Sequence, residues 1–369
     1  MQSNQSASVS GVLAALIRRA MARNAGWLPF DRFMAMALYA PGLGYYARGS
    51  QQFGALPASG SDFITGPELS PLFGRALARQ VEQALLGSGS DTLWEFGAGS
   101  GALALQLLDA LGERVREYAI VDLSGTLRER QRENLLAHAH KVRWLDALPD
   151  TMHGVVIGNE VLDAMPVELL YFDGAQWFER GVVATPDGLA WGDRTTTRRP
   201  PHDGPFAPGT VTEVHAQAEA FIATLGERLE RGAAFFIDYG FPAAEYYHPQ
   251  RVGGTLMCHR AHLCDADPLV DVGAKDITAH VNFTGIALAA QDAGFEVLGY
   301  ATQARFLMNC GLLELLQGAD LRMVANAQKL LNEHEMGELF KVIGWAKGCN
   351  PEFTTAPLGF CAGDRTHTL

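Results

Sequence analysis

The chain has 369 residues, 48% hydrophobic and 19% charged, with a formal net charge of −12. That composition describes a soluble globular chain long enough for one large domain or two smaller ones, and its acidity argues against general nucleic-acid binding, which needs a positive face. No apolar run reaches the length that spans a bilayer, and five scattered cysteines suit a reducing compartment better than a disulfide framework.

In chain order, "GVLAALIRRAMARN" predicts an amphipathic helix with Val12, Leu13, Leu16, Ile17 and Met21 on one face. The same stretch bears arginines and no acid precedes Asp31, a composition shared with mitochondrial targeting helices. Ser70 to Leu86 has helical spacing and ends at Gly87-Ser88-Gly89. Then strands and helices alternate: "DTLWEFG" (strand), "ALALQLLDALG" (helix), "EYAIVDLS" (strand), "GTLRERQRENLLAHA" (helix), "KVRWLD" and "GVVIGNE" (strands). Such alternation implies right-handed crossovers and a parallel sheet.

From Glu168 the pattern becomes a β-meander, "ELLYFDGAQWFERGVVATPDGLAW", with Asp-Gly turns at Asp173 and Asp187. "EVHAQAEAFIATLGERLERG" predicts a helix, "AAFFIDYG" a strand, and "GIALAAQDAGFEVLGYATQ" a helix and a strand; the remainder, including "MGELFKVIGW", reads as mainly helical. The expected organisation is an N-terminal cover over residues 1–69, a core with insertions over 70–303 and a C-terminal, mainly helical extension over 304–369.

"LWEFGAGSGALA" places Gly97, Gly99 and Gly101 between a strand and a helix, where glycine lets the backbone approach a ligand. Asp122 ends the next strand, where a carboxylate can accept from ribose hydroxyls. The spacing alone also fits a dinucleotide fingerprint. Glu95, two residues before Gly97, favours S-adenosylmethionine over a dinucleotide, because a carboxylate suits the ammonium of a methionine moiety and sits poorly beside a pyrophosphate. Asp146 ends the third strand and could receive an adenine amino group, or simply make a turn. "MCHRAHLC" offers Cys258, His259, His262 and Cys264, but without the paired spacing of a zinc site, so no metal is expected.

The stretch "VVIGNEVLDAMPVE" sets Asn159, Glu160 and Asp163 at the mouth of a core strand. Buried polar groups there cost stability unless they cap or act. Asp163 could cap a helix holding Pro166 in its first turn, whereas Glu160 has no obvious capping task.

With the segments "FMAMALYAPGLGYYARG", "DFITGPELSPLFG", "EFGAGSGALA", "GNEVLDAMPVE", "FFIDYG", "DITAHVNF" and "MGELFKVIGW", the chain resembles the class I S-adenosylmethionine-dependent methyltransferases. It is most similar to the MidA-like family, whose mitochondrial members are complex I assembly factors that methylate protein arginine. The resemblance implies a Rossmann-like α/β fold with S-adenosylmethionine as cofactor and a bacterial, cytoplasmic protein rather than a mitochondrial one. It also implies an arginine-bearing protein substrate such as a complex I subunit homologue. Cofactor contacts would come from Thr65, Pro67, Glu95, Gly97, Ala98, Gly99, Gly101, Asp122, Leu123, Asp146, Ala147 and Asn159. Chemistry would come from Glu160, Asp163, Asp238 and His280, with Tyr45, Tyr46 and Glu68 in a cover over the cofactor. Gly66 departs from the serine frequent at that place in the family. Because a fold does not fix an acceptor, methylation of a small molecule or another protein residue stays open, as does a cofactor-binding assembly chaperone with little turnover.

Overall fold

The structure, a computed structural model, describes residues 2–47, 65–122, 125–260 and 263–369, without the side chains of 2–10, 125 and 126. Its eight-stranded central sheet adds the short strand Val281–Asn282, paired with the end of β5, to seven main strands: β1 (Thr92–Phe96), β2 (Glu117–Val121), β3 (Val142–Leu145), β4 (Met152–Asn159), β5 (Leu229–Phe241), β6 (Glu296–Thr302) and β7 (Phe340–Lys347). The seven lie side by side in the order β3-β2-β1-β4-β5-β7-β6. The first five are parallel, and β7 runs antiparallel to both of its neighbours. The strand order reverses between β1 and β4, so their carboxyl ends open a crevice at the switch point of the sheet.

Successive residues of a strand face opposite sides of the pleat, and the core divides accordingly. Val155, Ile157 and Phe235 join one apolar cluster with the helices Pro71–Ser88 and Ala102–Leu111. Val156 and Phe236 join another with the helices Ala216–Arg228 and Phe283–Asp292. The helix from Pro71 begins where sequence chemistry requires. Ser70 accepts the N–H of Leu72, Pro71 fills a position whose N–H has no helical partner, and Gly89 closes the far end at φ +61°.

A third cluster joins the N-terminal segment to the meander. Trp27–Pro29 pairs with Trp177–Thr185 in a five-stranded antiparallel sheet completed by Glu168–Phe172, Gly188–Thr195 and Val211–Val214. The first helix, Gln2–Arg23, buries Leu13, Ile17 and Met21 at a spacing of four residues, while Val12, expected on the same face, is 52% exposed.

Three expectations are corrected. "MGELFKVIGW" is only a short helix, Met336–Leu339, before β7. A continuous apolar run buried on both faces carries no period that separates strand from helix, and β7 lies between β5 and β6. The segment after residue 303 therefore supplies a central strand as well as helices. The helix expected from "EVHAQAEAF" starts only at Ala216, because Val211–Val214 is a strand of the meander sheet. No helix follows Asp163; the chain turns and enters the strand Glu168–Phe172. Among the described residues, no helix is long and apolar enough to cross a membrane.

Candidate active site

A cavity of about 970 Å³ opens at the carboxyl ends of β1, β2, β4 and β5. The glycine loop forms one wall. Gly97, Gly99 and Gly101 have φ of +64°, +54° and +85°, a region that L side chains rarely adopt. A Cβ at Gly97 would stand 3.1 Å from the Val161 side chain. Gly97, Ala98, Gly99 and Ser100 line the cavity, whereas Gly101 packs beneath the loop against Gln131 and Leu135.

Glu95 is buried on the same side and accepts the Tyr118 hydroxyl at 2.8 Å. Burial pushes its carboxyl up to about 8, the Tyr118 hydrogen bond pulls it down, and the nearby Asp122 adds to the rise. Asp122 lines the cavity beside Ala147 and Leu148. The Asp146 side chain does not line the cavity; it is 90% exposed and pairs with Arg128 at 2.6 Å. Arg128 also donates to the carbonyls of Asp122 and Leu145, so Asp146 helps to hold the tips of β2 and β3 together. The expected adenine contact through its carboxylate has no support in this placement. Leu123 lies outside the described residues.

The acceptor side is built by the loop after β4. Glu160 has φ +53°, which for a side chain of its size is a strained conformation. Its N–H is held by the carbonyl of Ile237 at 2.9 Å, and Asn159 Nδ2 donates to its carboxylate at 3.1 Å. Burial and the charge of Asp163 push Glu160 up to about 8, opposed by Asn159 and by the Gly66 backbone. Asp163 is buried and accepts the Tyr239 hydroxyl. Burial raises it to about 6 against that hydrogen bond.

Asp238 was expected to do chemistry, but it faces the loop and does not line the cavity. Its Oδ2 accepts the N–H groups of Val161, Leu162 and Asp163 at 3.1, 2.9 and 3.3 Å, and its Oδ1 that of Tyr239 at 3.1 Å. It caps the loop from a neighbouring strand, whereas Asp163, a candidate helix cap by sequence, accepts the Tyr239 hydroxyl.

His280 lines the cavity, stacked on Phe241 with ring centroids 5.2 Å apart. Burial, then the nearby Arg251, pushes its imidazole down to about 4, so it is neutral at physiological pH. Its Nδ1 is buried with no hydrogen-bond partner. The cover closes this end. Tyr46 donates to both oxygens of Asp276 at 2.9 Å and stacks on Tyr39, whose hydroxyl donates to the carbonyl of Ala164. Thr65, Pro67 and Glu68 line the wall and Ser100 donates to Glu68, whereas Tyr45 packs edge-on against Tyr46 without lining the cavity. Gly66 has a physical reason to lack a side chain, since a Cβ there would come within 2.9 Å of the Phe73 ring.

Sequence reading missed Tyr39 and Gln131. The motif "ALYAPGLGYY" held a signal for the first, an extra tyrosine one turn before the glycines; nothing marked the second, a polar residue inside a polar helix.

Residues 73–301 match a protein-family model described as "Putative S-adenosyl-L-methionine-dependent methyltransferase". A COG1565 superfamily member from Burkholderia thailandensis, crystallised with S-adenosyl-homocysteine bound, superimposes with a TM-score of 0.94 at 50% identity, covering 99% of this chain and 98% of that one. A second COG1565 superfamily structure from the same organism gives 0.90 at 48% identity, with the same coverage. The mitochondrial protein arginine methyltransferase NDUFAF7 of Danio rerio is 26% identical over 366 residues, 86% of this chain and 82% of the relative.

Proposed function

The chain belongs to this family of S-adenosyl-L-methionine-dependent methyltransferases, and we propose that it methylates arginine in a partner protein. The observation that carries the reading is the charge of the cavity. Among the described lining residues are the carboxyls of Glu68, Glu95, Asp122, Glu160, Asp163 and Asp276, and no lysine or arginine. Carboxyls with no basic side chain among them ionise against a bound cation, so the lining favours cationic ligands. The donor and a guanidinium acceptor are both cationic.

The residues at the glycine loop fit S-adenosylmethionine, which supplies a methyl group on a sulfonium centre when bound. Gly97 and Gly99, without side chains, let the backbone approach, and Glu95 offers a carboxylate for the ammonium. Asp122 is read as the partner of the ribose hydroxyls, with Ala98, Ala147, Asn159, Thr65 and Pro67 as further contacts.

Arginine is protonated at any physiological pH and has no acceptor lone pair, so its nitrogen becomes nucleophilic only as its charge is localised and its proton removed. Glu160 and Asp163 are read as the clamp. Two neighbouring carboxyls resist ionising together, so the pair holds one proton, on Glu160, until a guanidinium arrives and that proton passes to solvent. A bidentate carboxylate holds the planar fork in one orientation. Holding the nitrogen in line with the methyl carbon is then the main contribution to rate, and one of the two carboxylates takes the released proton. The aromatic walls from Tyr39, Tyr46, Tyr239 and Phe340 exclude water and suit a flat cation. The name of the NDUFAF7 relative supports arginine and a protein substrate, and the family resemblance supports a respiratory-complex subunit.

Incubation with labelled donor and candidate proteins, followed by hydrolysis, tests the reading. Label recovered as methylarginine is the expected result; label confined to lysine, RNA or a small molecule would overturn it.

A further inference from the structure

The helix Gly125–Asn134 has a polar sequence, yet Gln131 within it is fully buried at 0% exposure. Its amide has three partners. Nε2 donates to the carbonyl of Gly99 and to Asp122 Oδ2, each at 2.9 Å. Oε1 accepts the indole N–H of Trp144 at 2.9 Å. This orientation is dictated by chemistry: an indole N–H only donates and a carboxylate or carbonyl only accepts, so the amide fits one way round. The stem of Gln131 also lies against Gly101, where an added Cβ would stand 3.6 Å from its Cγ.

We infer that Gln131 is a positioning residue for the cofactor, tying the glycine loop to Asp122 through one buried amide. The inference rests on the reading of Asp122 as a cofactor contact. Gly99 belongs to the wall after β1 and Asp122 to the tip of β2, and Gln131 fixes their separation. It also fixes the loop's direction. A trans peptide holds its N–H opposite its C=O, so the Gly99 carbonyl turned to Gln131 sends the Ser100 N–H the other way. Asn134 Nδ2 donates to the Ser100 carbonyl at 2.9 Å and repeats the constraint one residue on. Trp144, from β3, satisfies the amide oxygen at the other end and holds the side chain in place.

Titration of S-adenosyl-homocysteine by calorimetry tests this with four variants, each melted without ligand to establish the folded fraction. Gln131→Met keeps the volume and removes both donors; affinity should fall about tenfold or more, the loss expected for a bond to a charged group plus a neutral one. Trp144→Phe leaves Oε1 without its donor and loosens the amide, and should cost about threefold. Gln131→Glu gives the sharpest readout. At pH 8 the fraction ionised faces Asp122 and the Gly99 carbonyl as a carboxylate, and affinity should fall relative to pH 6. At pH 6 the protonated acid again offers a donor, and affinity should recover. The charged groups tied to the partners of Gln131 are Arg128 on the Asp122 carbonyl, with Asp146 paired to it, Arg132 over the Trp144 ring and Glu95 beside Asp122; wild-type titrations at both pH values remove their contribution.

A merely structural Gln131 would lower the melting temperature and leave affinity within twofold of wild type at both pH values, which overturns the inference. Asp122→Ala separates the two readings. Unchanged affinity in that variant removes Asp122 from the cofactor site, whereas weakened binding there with normal binding in the Gln131 variants sinks the inference alone.

Discussion

Asp238 accepts the backbone N–H of Leu162 at 2.9 Å, so the loop that presents Glu160 and Asp163 is shaped by the end of the neighbouring strand. Asp238→Ala would leave the N–H groups of Val161, Leu162 and Asp163 buried without an acceptor. At about 1–3 kcal/mol for each unsatisfied buried group, and with partial relaxation, the variant should lose roughly 3 kcal/mol of stability or more. Asp238→Asn keeps one acceptor oxygen and should lose less. Denaturant melts measure both; a variant of full stability without activity would return Asp238 to a chemical role.

Glu160→Gln keeps size and removes the charge that the proposed clamp needs. Turnover should fall by about a hundredfold or more, in the range expected for loss of a positioned base. Calorimetric affinity for S-adenosyl-homocysteine should stay within about twofold, since the change lies on the acceptor side. A loss of cofactor affinity equal to the loss of rate would reassign the residue to the cofactor.

The pH dependence follows from the same groups. In the folded protein Glu95 and Glu160 are raised from 4.5 to about 8 and Asp163 from 3.8 to about 6. The folded state therefore keeps protons that the unfolded chain has already released, and binds more of them between about pH 4 and 8. Their contribution to stability is full below the unfolded values and is lost as pH rises through 6 and 8. Thermal melts of the ligand-free protein should show this decline, and Glu160→Gln should flatten it while raising the melting temperature at pH 8. Methyl transfer should move the other way, rising with pH as the clamp ionises. Melts in which Glu160→Gln leaves the slope unchanged would exclude Glu160 as its source.

Gly66→Ser restores the residue frequent in the family but places a Cβ 2.9 Å from the Phe73 ring. Overpacking of a fully buried aromatic should cost about 1–3 kcal/mol. Adding Phe73→Leu should recover part of the loss, as coupled neighbours do. Additive effects in the double variant would show that the ring already gives way.

Gly99→Val puts a branched side chain on a residue at φ +54° in the cavity wall. S-adenosylmethionine at a hundred times its Kd should stabilise the wild type by about 2.7 kcal/mol, and the variant should show no such shift. NAD should shift neither protein. A ligand-induced rise in melting temperature that survives in Gly99→Val would mean that the glycine loop does not contact the donor.

Local signals carried the parallel half of the sheet because each strand there is bounded by its own turn residues. The glycine loop was equally plain, since three positive-φ positions demand glycine one by one. What stayed hidden depends on residues distant in sequence. Asp163 followed by Pro166 imitates a helix start, and only Asp238, from β5, shows that the loop is capped from outside. Gln131 looks like any solvated helix position until Trp144 and Asp122 close over it. Asp146 occupies the expected strand end, but an arginine on the preceding helix draws its side chain away. The strain at Glu160 is a property of φ and leaves no trace in composition.

The antiparallel β7 gives the sheet a dependence on the order of synthesis. Ala233 to Tyr239 of β5 pair on one side with residues 340–346, and β6 joins the sheet only through that same strand. Until residue 347 has left the ribosome, β5 ends the sheet as an apolar edge with unpaired N–H and C=O groups, a template for pairing with another chain. A nascent chain arrested anywhere between β6 and β7 has the glycine loop, Glu160 and Asp238 already made and still carries that open edge. Premature termination in this interval is therefore expected to leave a product with an aggregation-prone edge.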